Sequence, residues 1–96
     1  VILISLEVER PKIDEKVSTT TDFPYIVILF NDDYHSFDEV IIQLIKALKC
    51  DINTAKNFAF QAHINGKTAI YNGSLAKCLQ ITSILAEIGL NTEIET

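Results

Sequence analysis

Six consecutive apolar residues, Tyr25-Ile-Val-Ile-Leu-Phe30, are closed off by Pro24 before them and by Asn31-Asp32-Asp33 after them. The run is too short for a helix and is rich in β-branched and aromatic side chains, which suit a pleated surface. It therefore reads as a strand. Because no position alternates to a polar residue, both of its faces need cover, which places the strand at the centre of a sheet. The rest of the chain has to pack around it.

The period then changes. Ser36, followed by Asp38 and Glu39, reads as an N-cap with a capping box, in which the Ser36 hydroxyl and the Glu39 carboxylate satisfy two otherwise unpaired amides. Phe37, Val40, Ile41, Leu44, Ile45 and Leu48 follow at spacings of three and four and form one apolar stripe along a first helix. Asp51 caps a second helix, with Ala55, Phe58, Ala59 and Ala62 facing inward and Gly66 as a left-handed stop. Residues 67–71 read as a short strand and Asn72-Gly73 as a turn. Ser74 caps a third helix carrying Leu75, Cys78, Leu79, Thr82, Leu85 and Ala86, which stops at Gly89. Leu90, Thr92 and Ile94 alternate with polar residues, the mark of a half-buried strand. The order β-α-α-β-α-β predicts a single α+β domain, a three-stranded, mainly antiparallel sheet with helices packed on one face.

Upstream, residues 2–8 are a candidate extra strand, because an exposed apolar run invites edge pairing. Residues 9–22, with Pro11 and a Ser/Thr run, read as a flexible linker. Residues 1–23 are thus expected to be an N-terminal extension and residues 24–96 the core. The opening run is shorter than a membrane span or a signal-peptide core and has no basic residue before it, so neither is expected. The absent initiator methionine reads as a trimmed chain.

At 96 residues the chain has room for one hydrophobic core, and 48% hydrophobic against 22% charged residues is a globular balance. The formal charge of −5, with only eight scattered lysines and arginines, argues against a phosphate-binding surface, so no nucleic-acid partner is expected. Cationic ligands are mildly attracted instead. Cys50 and Cys78 sit in or beside apolar helix patterns and read as buried free thiols.

Enzymatic chemistry finds no footing. Asn31-Asp32-Asp33 is first of all a strand-end turn, since adjacent carboxylates there point to opposite sides and rarely converge on one bond. With two histidines and no close His/Cys spacing, neither a metal centre nor a catalytic one is expected, and no phosphate loop or nucleophile elbow occurs. No cofactor is implied. His63, near a helix end, reads in isolation as a helix-end cation or a satisfied polar group, and His35 as a solvent-exposed residue at a helix entrance.

The combination carries more than its parts. Tyr25-x-Val-Ile-Leu-Phe-Asn31-Asp32-Asp33-Tyr34, then a helix with Phe37-Asp-Glu-Val40, then Ala62-His63-x-Asn-Gly66-Lys67, resembles the core pattern of the ClpS adaptor family. The resemblance runs from Pro24 to the C-terminus and implies a small α+β fold akin to the C-terminal domain of the ribosomal stalk protein. It also implies a function, which is to bind the exposed first residue of an N-degron substrate and deliver it to a Clp-family AAA+ unfoldase or protease.

By that resemblance, Asn31, Asp32 and His63 surround the ligand's α-amino group, an ammonium with three donors and no acceptor. The Asn31 carbonyl, the Asp32 carboxylate and an unprotonated His63 nitrogen supply acceptors, directly or through water. An adjoining apolar pocket of Phe37, Val40, Ala59, Ala62 and Leu90 takes the first side chain, which in the family is Leu, Phe, Tyr or Trp. Taken alone, these five are ordinary core residues. Asp33 serves the turn.

The chain also departs from the family. It is about two residues shorter between Lys67 and the third helix. The familiar Glu-Val-Ala-Glu-Thr-Lys motif, which helps contact the unfoldase, is replaced by Ser74-Leu-Ala-Lys-Cys-Leu79, so the resemblance does not identify the Clp partner. Ala59 and Ala62 are smaller than usual, and Phe37 is bulkier than the common methionine. Two rival expectations remain: a recognition domain of a larger ubiquitin ligase, and an interaction domain that kept the fold without binding N-degrons. The expected setting is cytoplasmic, or an organelle such as a plastid, with no membrane partner.

Overall fold

A computed structural model describes residues 24–96. The expectations for residues 1–23, an extra strand and a flexible linker, lie outside the described residues. Strand β1 (Tyr25–Phe30) is followed by helices α1 (Phe37–Leu48) and α2 (Ile52–Asn65), strand β2 (Lys67–Gly73), helix α3 (Leu75–Ala86) and strand β3 (Thr92–Glu95). The sheet runs β2-β1-β3 with both pairings antiparallel, so the apolar run lies at its centre.

Helix starts follow local chemistry. Ser36 accepts from the Glu39 amide at 3.2 Å while the Glu39 carboxylate accepts from the Ser36 amide at 2.8 Å. Asp51 accepts from the Thr54 amide at 2.7 Å, and Ser74 from the Lys77 amide at 3.2 Å. Gly66 ends α2 at φ 84°, a left-handed conformation in which an L side chain is strained.

The core lies between the sheet and the helices. Val27 and Leu29 of β1 meet Ile41 and Leu44 of α1, Ala55 of α2 and Cys78, Ile81 and Leu85 of α3. Ile28 is buried too, yet it lies outside this cluster on the opposite face of the sheet. The uninterrupted apolar run led to an expectation of cover on both faces. Among the described residues the helix-packed core buries Val27 and Leu29 from it, with Tyr25 packed against its edge.

Two further expectations need correction. Asn72-Gly73 is not a turn, because β2 runs through both and pairs Gly73 with Tyr25 and Asn72 with Ile26. A bulge between Val27 and Ile28 leaves Ile70 without a partner in β1 while keeping its side chain in the core. A Cβ at position 73 would meet the outer edge of the Tyr71 ring at 2.5 Å, so a larger residue there would require that ring to move. The buried face of α3 is Cys78, Ile81 and Leu85, while Leu75, Leu79 and Ala86 turn outward. The buried amide of Gln43 on α1 was also unforeseen; it donates to the Ile84 carbonyl at 2.6 Å and to Glu87 at 3.1 Å, joining α1 to α3. Cys50 and Cys78 are free thiols, the second fully buried, and burial raises both pKa values.

Candidate functional site

The end of β1 is a junction. The Phe30 amide donates to the Asn91 carbonyl at 3.0 Å and the Asn31 amide donates to the Gly66 carbonyl at 2.9 Å. One strand end thereby holds the turn before β3 on one side and the end of α2 on the other. Between them, and roofed by the first turn of α1, opens a cleft of about 250 Å³.

All eight residues singled out in the sequence stand around this cleft. Asn31 and Asp32 come from the loop after β1, Phe37 and Val40 from the first turn of α1, and Ala59, Ala62 and His63 from α2. Leu90 comes from the turn before β3. Ala59, Ala62 and Leu90 are buried and form an apolar floor, whereas Asn31 and His63 are exposed at the mouth. Two alanines one helical turn apart set that wall back, since neither side chain extends past Cβ. Phe37 is 45% exposed and makes an edge contact with His63, ring centroids 5.5 Å apart at 60°. The stripe position that reads as core thus belongs to the mouth.

His35 overturns its expectation. Its side chain is only 16% exposed and both ring nitrogens are engaged. Nδ1 lies 2.8 Å from Asp32 Oδ2, and Nε2 lies 2.5 Å from the carbonyl oxygen of Ile88 on the turn after α3. The other Asp32 oxygen accepts from the Tyr34 and His35 amides, each at 2.9 Å. Burial alone would raise the Asp32 pKa, but the hydrogen bonds from His35 and Tyr34 outweigh it and hold the carboxyl below its ordinary value. The Asp32 carboxylate, then the Ile88 carbonyl, raise the His35 pKa against a smaller opposing effect of burial. A carboxylate offers about four acceptor positions. Three are engaged within the chain, which leaves one on Oδ2 at the cleft.

The arrangement is an apolar hole with a polar, net-acidic lip that can receive a cationic donor group joined to an apolar side chain. Among the described residues, no group of three or more His, Cys, Asp and Glu is placed to hold a metal ion, and no helix is long and apolar enough to cross a membrane.

Comparison with known proteins identifies the family to which this fold belongs. The profile of the family described as ATP-dependent Clp protease adaptor protein ClpS matches residues 20–90. Among solved structures, that of Agrobacterium tumefaciens ClpS2 bound to L-phenylalaninamide superposes with a TM-score of 0.64 at 25% sequence identity, over 74% of this chain and 93% of that one. Curated relatives include the human E3 ubiquitin-protein ligase UBR1, 37% identical over 54 residues or 56% of this chain. The mouse ligase UBR2 is 31% identical over 90 residues, 94% of this chain. The chain spans only 3% of the length of that UBR1 and 5% of that UBR2. With its β-α-α-β-α-β order, its antiparallel sheet and a profile match across most of its length, this chain belongs to the ClpS family.

Proposed function

We propose that the cleft binds the free N-terminal residue of another polypeptide, as an N-degron recognition module without catalysis or cofactor. One observation carries the reading: a polar lip of Asn31, Asp32 and His63 adjoins an apolar floor of Ala59, Ala62 and Leu90 within a single cleft. An ammonium needs acceptors on several sides. Asn31 and His63 supply them at the lip, and Asp32 adds charge through its remaining acceptor position. The first side chain then drops onto the apolar floor, which favours Leu, Phe, Tyr or Trp. The bound molecule of the Agrobacterium protein supports this reading, because L-phenylalaninamide has a free α-amino group, an aromatic side chain and an amide in place of its carboxylate.

Delivery of the bound chain to a Clp-family AAA+ unfoldase is the first route, and the family's description as a Clp protease adaptor supports it. A second reading, a recognition domain within a larger ubiquitin ligase, is favoured by the match of UBR2 over 94% of this chain. Both share the same recognition step. Peptides beginning with Phe or Leu, free or acetylated at the amine, test that step by calorimetric titration. Free amines should bind and acetylated copies should not, and equal binding of both would refute the reading. Retention of a Clp ATPase on the immobilised protein separates the two routes of delivery.

A further inference from the structure

Two acceptors face one imidazole at the edge of the cleft. Asp32 Oδ2 lies 2.8 Å from Nδ1 of His35 and the Ile88 carbonyl oxygen 2.5 Å from Nε2. A neutral imidazole carries one N–H and can donate to only one of them, leaving the lone pair of its other nitrogen against an oxygen. An imidazolium donates to both. Asp32 belongs to the loop after β1 that carries Asn31. Ile88 lies two residues before Leu90, on the turn that carries part of the cleft floor. The ring therefore ties together, across 53 residues of sequence, the two segments from which the lip and the floor are built.

We propose that His35, as an imidazolium, is a positioning residue that fastens the Asn31–Asp32 loop to the Leu90 turn and so sets the geometry of the amine site without contributing a ligand contact. The proposal rests on the N-degron reading for the identity of the ligand. His35 lines the cleft, but both ring nitrogens are used within the chain and none is left for a bound peptide. It also orients Asp32. With one oxygen held by two backbone amides and the other by Nδ1, the carboxylate cannot rotate to follow a ligand. Its remaining acceptor position is thus fixed before the ligand arrives, which lowers the ordering cost of binding.

The charged groups near the ring are Asp32 in its loop and Glu39 on α1. On the facing turn, Glu87 is engaged by Lys46 at 2.7 Å and Gln43 at 3.1 Å, so the clamp meets the turn through a carbonyl rather than a second carboxylate. His63 of α2 shares the cleft. Since the His35 pKa is raised, the clamp is intact below the ordinary histidine value and is lost as pH rises through the elevated one. Since the Asp32 pKa is lowered, the clamp persists above the ordinary carboxyl value and is lost as pH falls through the depressed one.

Two measurements decide the matter. In the free wild-type protein, 15N-edited NMR of the imidazole should show both His35 nitrogens protonated at neutral pH. The ring should titrate above ~6.5, with the Gly89 and Leu90 amides shifting at the same midpoint. In the second, a free-amine Phe peptide is titrated across pH against wild type, His35→Gln and His35→Ala. Affinity in the variants should fall on the order of tenfold, the loss expected for a hydrogen bond to a charged group. Their alkaline loss of affinity should involve one proton fewer, leaving only the peptide amine to titrate. His35 titrating at or below the ordinary value, or either variant binding with the wild-type affinity and pH profile, overturns the proposal. A wild type that binds no peptide while its His35 and Leu90 signals titrate together refutes the N-degron reading and leaves the clamp standing.

Discussion

Filling the cleft from its α2 wall should cost a large aromatic first residue more than a leucine. Ala62 is 3% exposed and lines a cavity of about 250 Å³. At ~30 Å³ per water molecule, that volume corresponds to roughly eight waters, enough for an aromatic side chain. Phe37 does not occupy it, because its ring stands at the mouth against His63. A wide pocket rewards rings over leucine, which leaves part of the floor uncovered and forfeits those contacts. Ala62→Leu adds three carbon groups to the wall and displaces about as much of a buried ring. At ~0.8 kcal/mol per methylene the loss to a Trp peptide is about 2.4 kcal/mol. At ~1.4 kcal/mol per decade this is roughly a 50-fold weaker Kd. A Leu peptide, which reaches less of the wall, should lose under tenfold, a bound from the same ~1.4 kcal/mol per decade. The assay is fluorescence anisotropy with peptides differing only at their first residue, run against wild type and Ala62→Leu. Leucine binding the wild type as tightly as tryptophan, or equal losses for both peptides in the variant, would show that α2 does not shape the pocket.

Asn31→Ala, Asp32→Ala and His63→Ala should each weaken binding of a free-amine peptide by about 1.5 to 3 kcal/mol, the value of a hydrogen bond to a charged group. Calorimetry reads this loss, with the thermal midpoint checking that the fold is kept, and three unaltered affinities would remove the site. Away from the cleft, Gln43→Leu severs the amide link from α1 to the Ile84 carbonyl and Glu87. The Glu87 amide still reaches that carbonyl at 3.1 Å, so the cost should be only about 1 kcal/mol in urea unfolding. A loss several times larger would mean that the network holds the two helices in place.

What was legible in the sequence was written in neighbouring residues. Ser36 with Glu39, Asp51 with Thr54, and Gly66 after Asn65 each complete their hydrogen bonds within four positions, so the helix ends could be read directly. The central strand followed from its composition. The extension of β2 through Gly73 depends on pairing with Tyr25, across 48 residues, and no local signal in Asn72-Gly73 separates a turn from a paired end. The rotation of α3 is similar. Its apolar residues outnumber one face, and only contact with the sheet selects Cys78, Ile81 and Leu85 over Leu75 and Leu79. The eight cleft residues were found by resemblance to a family pattern rather than by residue chemistry, since five of them read alone as core. His35 was missed because its partner at Ile88 is a backbone carbonyl, and backbone carbonyls carry no sequence mark.

The junction at the end of β1 separates the frame of this cleft from its lining. The bonds that hold its edges, Phe30 to Asn91 and Asn31 to Gly66, run from main chain to main chain. They survive whatever side chains occupy those positions, provided the backbone path is kept. The residues of the apolar floor, Ala59 and Ala62 above all, take no part in them. Diversification of the pocket can therefore proceed one wall residue at a time, each exchange altering what fits without unfastening the scaffold. A single domain of this size can in this way support a series of pocket shapes while retaining one polar lip.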